Sequence, residues 1–156
     1  MNPRVVVAGF GNELRGDDGF GVVVVRQLEQ SGRAPRGTVF LEIGTGGIAL
    51  AQELLTPCDR LVIVDAMTRG GPPGSVYVVQ VEEVPPARSI DMHMAVPARA
   101  LGLAQALGAM PREVFLVGCE PLMVDDLTMV LSAPVAQAVA SAIDRVQTLL
   151  ERPHAG

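Results

Sequence analysis

The sequence predicts an α/β protein, a three-layer α/β/α arrangement in which helices flank a mostly parallel sheet of about five strands. Three observations carry that reading. Short β-branched runs such as Arg4 to Gly9 and Leu61 to Ala66 read as strands buried on both faces, as parallel sheets require. Segments with helical apolar spacing alternate with them. Glycines and polar residues cluster directly after the strands, where open α/β sheets gather their ligands.

Arg4 to Gly9 is the first strand. Asp17 to Gln30 follows as a helix, with Phe20, Val24 and Leu28 at helical spacing, Asp17 placed to cap the first turn and Ser31-Gly32 to end it. Thr38 to Ile43 reads as the second strand. Gly46 to Leu55 reads as the second helix, stopped at Thr56-Pro57 because the residue before proline avoids the helical region. Leu61 to Ala66 is the third strand. Beyond Gly70-Gly71-Pro72-Pro73-Gly74, the alternating run Val76 to Val81 reads as a fourth, reached through a hairpin or a loop, which leaves the sheet open to being mixed. The proline-rich stretch Glu82 to Asp91 reads as an exposed loop. Pro97 opens a helix through Leu107, Gly108 and Pro111 punctuate its end, and Glu113 to Gly118 supplies the fifth strand. In the last helix Ser132 is the N-cap, Pro134 sits in the first turn, and Val135, Val139, Ile143, Val146 and Leu150 form an apolar stripe.

The chain has 156 residues, 49% of them hydrophobic, which is enough for one packed core; a single domain over 1–152 with a frayed tail at 153–156 is expected. Against 17 Asp and Glu stand 12 Lys and Arg, scattered along the chain, and the net charge of −5 argues against a nucleic-acid partner. Apolar runs such as Val22 to Val25 are far shorter than the roughly 20 residues needed to span a membrane. No secretory signal is visible at the N-terminus. Cys58 and Cys119 are isolated thiols without a paired motif, so both are expected to be reduced, and a cytoplasmic location follows.

Four loops hold the candidate chemistry. The first strand is followed by Gly9-Phe10-Gly11-Asn12 and the acid pair Asp17-Asp18, the second by Gly44-Thr45-Gly46-Gly47; the third ends on Asp65 and the fifth on Gly118-Cys119-Glu120. Gly9-Phe10-Gly11 begins like a dinucleotide fingerprint, but Leu14 stands where the third glycine belongs, and Asp17 and Asp18 would repel a phosphate. A cation fits better. Asp18, Asp65 and His93 offer two hard carboxylates and one imidazole, a set suited to Ni²⁺, Zn²⁺ or a similar ion.

Each residue has a plainer reading. Asp17 is most simply a helix cap. Asp18 serves equally as a solvated first-turn acid, and His93, between Met92 and Met94, as a packed histidine. Asn12 and Thr45 can satisfy turn backbones, a duty that does not exclude substrate contact. Asp65 differs: it follows four apolar residues, and burying a carboxylate there is costly unless something pairs with it. Cys119 reads as a small core residue and gives little support to a cysteine hydrolase. Met92, Met94, Met123 and Met129 read mostly as core, with some available as an adaptable surface for a partner protein.

The run from Gly9 to Gly21, GFGNELRGDDGFG, resembles the opening signature of the hydrogenase maturation proteases, the endopeptidases of nickel-iron hydrogenase assembly. Glu42 to Gly47 resembles the family's second loop, Val64-Asp65-Ala66 its third-strand aspartate, His93 its histidine, and Leu107 to Pro111 and Gly118 to Pro121 its later segment. Nearly the whole chain is covered in order. The chain departs from the pattern in two places: Glu42-Ile43 stand where aspartate and glycine are usual, and Asp91 and Met94 flank the histidine where a small polar residue two before it and an acid just after it are common.

The resemblance implies an enzyme, an endopeptidase that removes a short C-terminal peptide from the nickel-loaded precursor of a hydrogenase large subunit. Asp18, Asp65 and His93 would then be both its metal contacts and its catalytic residues, the nickel being the substrate's own. Asn12, Gly44, Thr45, Gly46 and Asp91 are expected to meet the substrate, Asp91 as an extra ligand or by orienting His93. The protein would act as a monomer or weak dimer. The competing reading is a non-catalytic nickel-binding assembly chaperone that uses the same cleft.

Overall fold

The computed structural model describes residues 3–44, 47–82 and 95–154. Five strands are present: β1 (Val5–Phe10), β2 (Val39–Gly44), β3 (Arg60–Ala66), β4 (Val76–Gln80) and β5 (Glu113–Cys119). The helices are α1 (Phe20–Ser31), α2 (Ile48–Glu53), α3 (Ala95–Ala106) and α4 (Ala133–Glu151). The predicted α/β class and three layers are what the molecule has.

The strand order is β2-β1-β3-β5-β4. All neighbours are parallel except the edge pair, where β4 runs antiparallel to β5 with Val78 opposite Val117. The sheet is therefore mixed. The glycine and proline segment after β3 forms no hairpin with it, because β5 lies between β3 and β4.

Alternation along the buried strands builds two cores. From β1, Val7 joins Phe20, Val24 and Leu28 of α1 and Val139 and Val146 of α4 on one face. Val6, Ala8 and Phe10 turn to the other face and meet Leu50 and Leu54 near α2 and Leu101 and Ala104 of α3. Every residue of the predicted α4 stripe is buried, and at about 25 cal/mol per Å² such a stripe is a main source of the helix's stability.

Arg60 is fully buried at the start of β3. Its guanidinium donates to Glu113 Oε1 at 2.7 Å and to the carbonyls of Leu149 at 2.8 Å, Arg152 at 2.7 Å and Pro153 at 3.1 Å. A cation at the C-terminal end of α4 is well placed for the helix dipole, and it ties two strands and that helix together. Among the described residues no helix is long and apolar enough to cross a membrane.

Candidate active site

The site lies at the switch point of the sheet, where β1 has β2 on one side and β3 on the other, so that the loops leaving β1 and β3 diverge and open a crevice. Asp18 and Asp65 flank that crevice. Two glycines permit the close approach of α1: a Cβ on Gly9 would stand 2.5 Å from the Gly21 carbonyl oxygen, and one on Gly21 only 2.1 Å from the Val64 carbonyl oxygen. Asp65 is the residue after Val64 and lies almost fully buried.

Gly11 joins the pieces. Its φ of 116° is open to glycine, and a Cβ there would meet the Asp18 carbonyl oxygen at 1.8 Å and Asp65 Oδ1 at 3.6 Å. Its N–H donates to Gly44 O at 2.8 Å, which fastens the first loop to the second. The next N–H, that of Asn12, donates to Asp18 Oδ2 at 2.9 Å. Asn12 Oδ1 in turn accepts from Leu14 N at 2.9 Å, closing an Asx turn. Asp65 Oδ1 accepts from Ala66 N at 2.8 Å.

Beside these acids a cleft of about 330 Å³ is walled by residues 11–14 of the first loop, residues 42–44 of the second, and Val22. Glu13 and Glu42 in its walls share one cation: Arg26 of α1 donates to Glu42 Oε1 at 2.7 Å and to Glu13 Oε2 at 3.1 Å. Thr45, Gly46, Asp91 and His93 lie outside the described residues. The structure thus brings Asp18, Asp65, Asn12 and Gly44 together.

Asp17 has a different role from the predicted helix cap. Residues Gly16–Gly19 form a 3-10 turn, and α1 starts only at Phe20, with Gly19 at its N-cap and no side-chain cap. The Asp17 carboxylate is fully buried and points away from α1. It accepts hydrogen bonds from the N–H groups of Leu122, Met123 and Ser132 at 2.8, 2.8 and 2.7 Å, and from Ser132 Oγ at 2.8 Å. Ser132 does stand at the N-cap of α4, but its hydroxyl serves Asp17 and makes no cap bond.

Glu120 is likewise held in the structure. Its Oε1 accepts from Arg69 N, Gly71 N and Tyr77 OH at 2.8, 2.9 and 2.9 Å, pinning the segment after β3. Burial pushes the Cys119 thiol up to about 12, with the charges of Asp17 and Glu120 adding to it, so no thiolate is at hand.

Asp18 and Asp65 brought together at the switch point, with Cys58 and Cys119 both held as thiols, define an α/β protein with an acidic crevice at the carboxyl ends of its strands. Comparison with known proteins narrows that class. Residues 22–149 match the family described as HycI, hydrogenase maturation protease. The hydrogenase expression/formation protein HupD of Rhizobium leguminosarum bv. viciae is 34% identical over 151 residues, which cover 95% of this chain and 74% of the relative. HupM of Azotobacter chroococcum mcd 1 is 35% identical over 164 residues, 99% of this chain and 78% of that one. Among solved structures, the hydrogenase maturating endopeptidase HybD of E. coli superposes with a TM-score of 0.83 at 29% identity, covering 94% of this chain and 91% of that one. The chain belongs to the hydrogenase maturation protease family, a family of endopeptidases.

Proposed function

We propose that this protein removes a C-terminal peptide from the nickel-loaded precursor of a nickel-iron hydrogenase large subunit, with Asp18, Asp65 and His93 contacting the nickel that the precursor carries. The observation that supports this best is the convergence of Asp18 and Asp65 around Gly11 at the switch point. Two carboxylates with an imidazole suit nickel. The Asn12 N–H, by fixing one oxygen of Asp18, is the kind of outer contact that orients a metal-binding carboxylate.

Recognition is then tied to loading. Only a precursor with nickel in place presents the ion that draws its tail to the cleft, where Asn12, Gly44, Thr45, Gly46 and Asp91 meet the chain. Water adds to the scissile carbonyl, the C–N bond breaks, and the water's proton passes to the leaving amine. Asp18 or Asp65 as a base, or the substrate's own nickel as a Lewis acid, supplies the activation. The protein acts in the cytoplasm as a monomer or weak dimer.

Mass spectrometry of purified precursor tests the proposal. Wild type shortens the nickel-loaded precursor and leaves the nickel-free one intact, while Asp18→Asn, Asp65→Asn and His93→Ala leave both at full length. Processing by all three variants would refute the site assignment. A wild type that binds the loaded precursor without shortening it would make the protein a chaperone.

A further inference from the structure

The segment joining β5 to α4, residues 121–131, is held with unusual care for a surface loop. Leu122 N and Met123 N donate into buried Asp17, as Ser132 does just beyond the segment, and in return Gly16 N donates to Thr128 O and Asp17 N to Met123 O, both at 2.8 Å. A Cβ on Gly16, whose φ is 59°, would stand 2.7 Å from the Met123 carbonyl oxygen. Arg15 pairs with Thr128 in an isolated parallel bridge. The turn carrying Asp18 and this loop are therefore one body.

Leu131 at the end of the loop packs against the core, but most of the loop's large apolar side chains turn outward. Leu127 is 88% exposed, Val130 73%, Met129 63% and Leu122 55%. Leu14, 55% exposed, also walls the cleft and directly precedes Arg15, which bridges to Thr128, so one short stretch of chain joins the cleft to the loop. Clustered exposed apolar residues mark protein interfaces, and methionine adapts to an irregular partner. A rigidly positioned loop beside a site is a common place for recognition.

We infer that loop 121–131, locked to the acidic turn through Asp17, is the surface on which the folded body of the large-subunit precursor docks while its tail enters the cleft. The inference rests on the protease reading, since that supplies a protein substrate whose cleavage point lies beside Leu14. Docking the body there fixes where the tail starts. Because the loop and Asp18 share one rigid turn, the docked body and the metal contact keep a constant separation.

The test is the triple variant Leu127→Ser, Met129→Ser, Val130→Ser, whose side chains are too exposed for the change to unfold the protein. With nickel-loaded precursor KM should rise about tenfold or more, while the Kd for purified nickel-free precursor rises in parallel, and the effect should fall on KM rather than kcat. Unchanged KM and Kd would overturn the inference, as would loss of self-association in sedimentation with precursor affinity intact, which would make the loop a contact between copies. If wild type binds the precursor but never shortens it, the protease reading fails while the Kd comparison still decides the docking surface.

Discussion

Gly21 lies so close to Val64 that a Cβ on it would stand 2.1 Å from the Val64 carbonyl oxygen. Gly21 lies in the first turn of the helix after Asp18, and Val64 precedes Asp65, so this approach of α1 to β3 sets how closely the segments carrying the two acids meet. A side chain cannot be fitted without moving backbone, since Phe10 O stands 2.6 Å from the same point. Gly21→Ala should destabilise the fold by about 3 kcal/mol or more. Gly32→Ala at the end of α1 meets nothing within 4 Å and should cost only about 1 kcal/mol, through its positive φ. Urea denaturation of the two variants checks the contrast.

What the sequence made legible follows from range. The buried strands β1, β3 and β5 were readable because a strand covered on both faces is apolar throughout, and α4 because its stripe repeats over five turns. Asp65 stands out in the sequence as a candidate because a carboxylate directly after an apolar strand is costly to bury unless something pairs with it. Asp17 was misread as a cap because its partners Leu122, Met123 and Ser132 lie 105, 106 and 115 positions away, and local pattern carries nothing of such contacts. Arg60, with partners 53 to 93 positions away, escaped for the same reason. Met123 and Met129, expected mostly as core, are exposed instead, because the long loop that carries them lies over the surface.

Asp17 should also leave a mark on acid stability. Burial alone pushes its carboxyl up, but the N–H groups of Met123 and Ser132, the Ser132 hydroxyl and the Leu122 N–H together hold it below the ordinary 3.8. A depressed carboxyl stabilises the fold fully above its ordinary value, and that contribution is lost as pH falls through the folded value. Asp17→Asn removes the charge from four donors and should cost about 3 kcal/mol at neutral pH. Between about pH 5 and pH 2 its melting temperature should fall less steeply than that of wild type, as read by circular dichroism.

The cysteines should be silent in the native protein. Burial pushes Cys58 up to about 11 and Cys119 up to about 12, so neither is a thiolate near neutrality. Iodoacetamide at about pH 8 should label neither in the folded chain and both after unfolding in urea, as counted by intact mass. Labelling of native Cys119 with loss of processing would instead point to a thiol mechanism.

Arg26 and Glu42 allow a distinction among the acids of the cleft. Glu42 occupies the second-loop position where the family resemblance leads one to look for a further acid, but it is bound to Arg26, which also holds Glu13. The hydrogen bonds it donates to Glu42 first and Glu13 second hold the guanidinium above its already high ordinary value, so the cation persists at every working pH. Both oxygens of Glu42 already accept from that guanidinium, at 2.7 and 3.4 Å, which leaves fewer lone pairs free for a water or a metal ion. Glu42→Gln should therefore slow processing at least about tenfold less than Asp18→Asn, judged by initial rates on the same precursor. The pairs are part-exposed, so their structural contribution is small: Arg26→Met should lower stability by about 0.5 kcal/mol in dilute buffer, with the difference vanishing near 1 M NaCl. A Glu42→Gln variant as inactive as Asp18→Asn would place Glu42 in the reaction and leave Arg26 as the group that orients it.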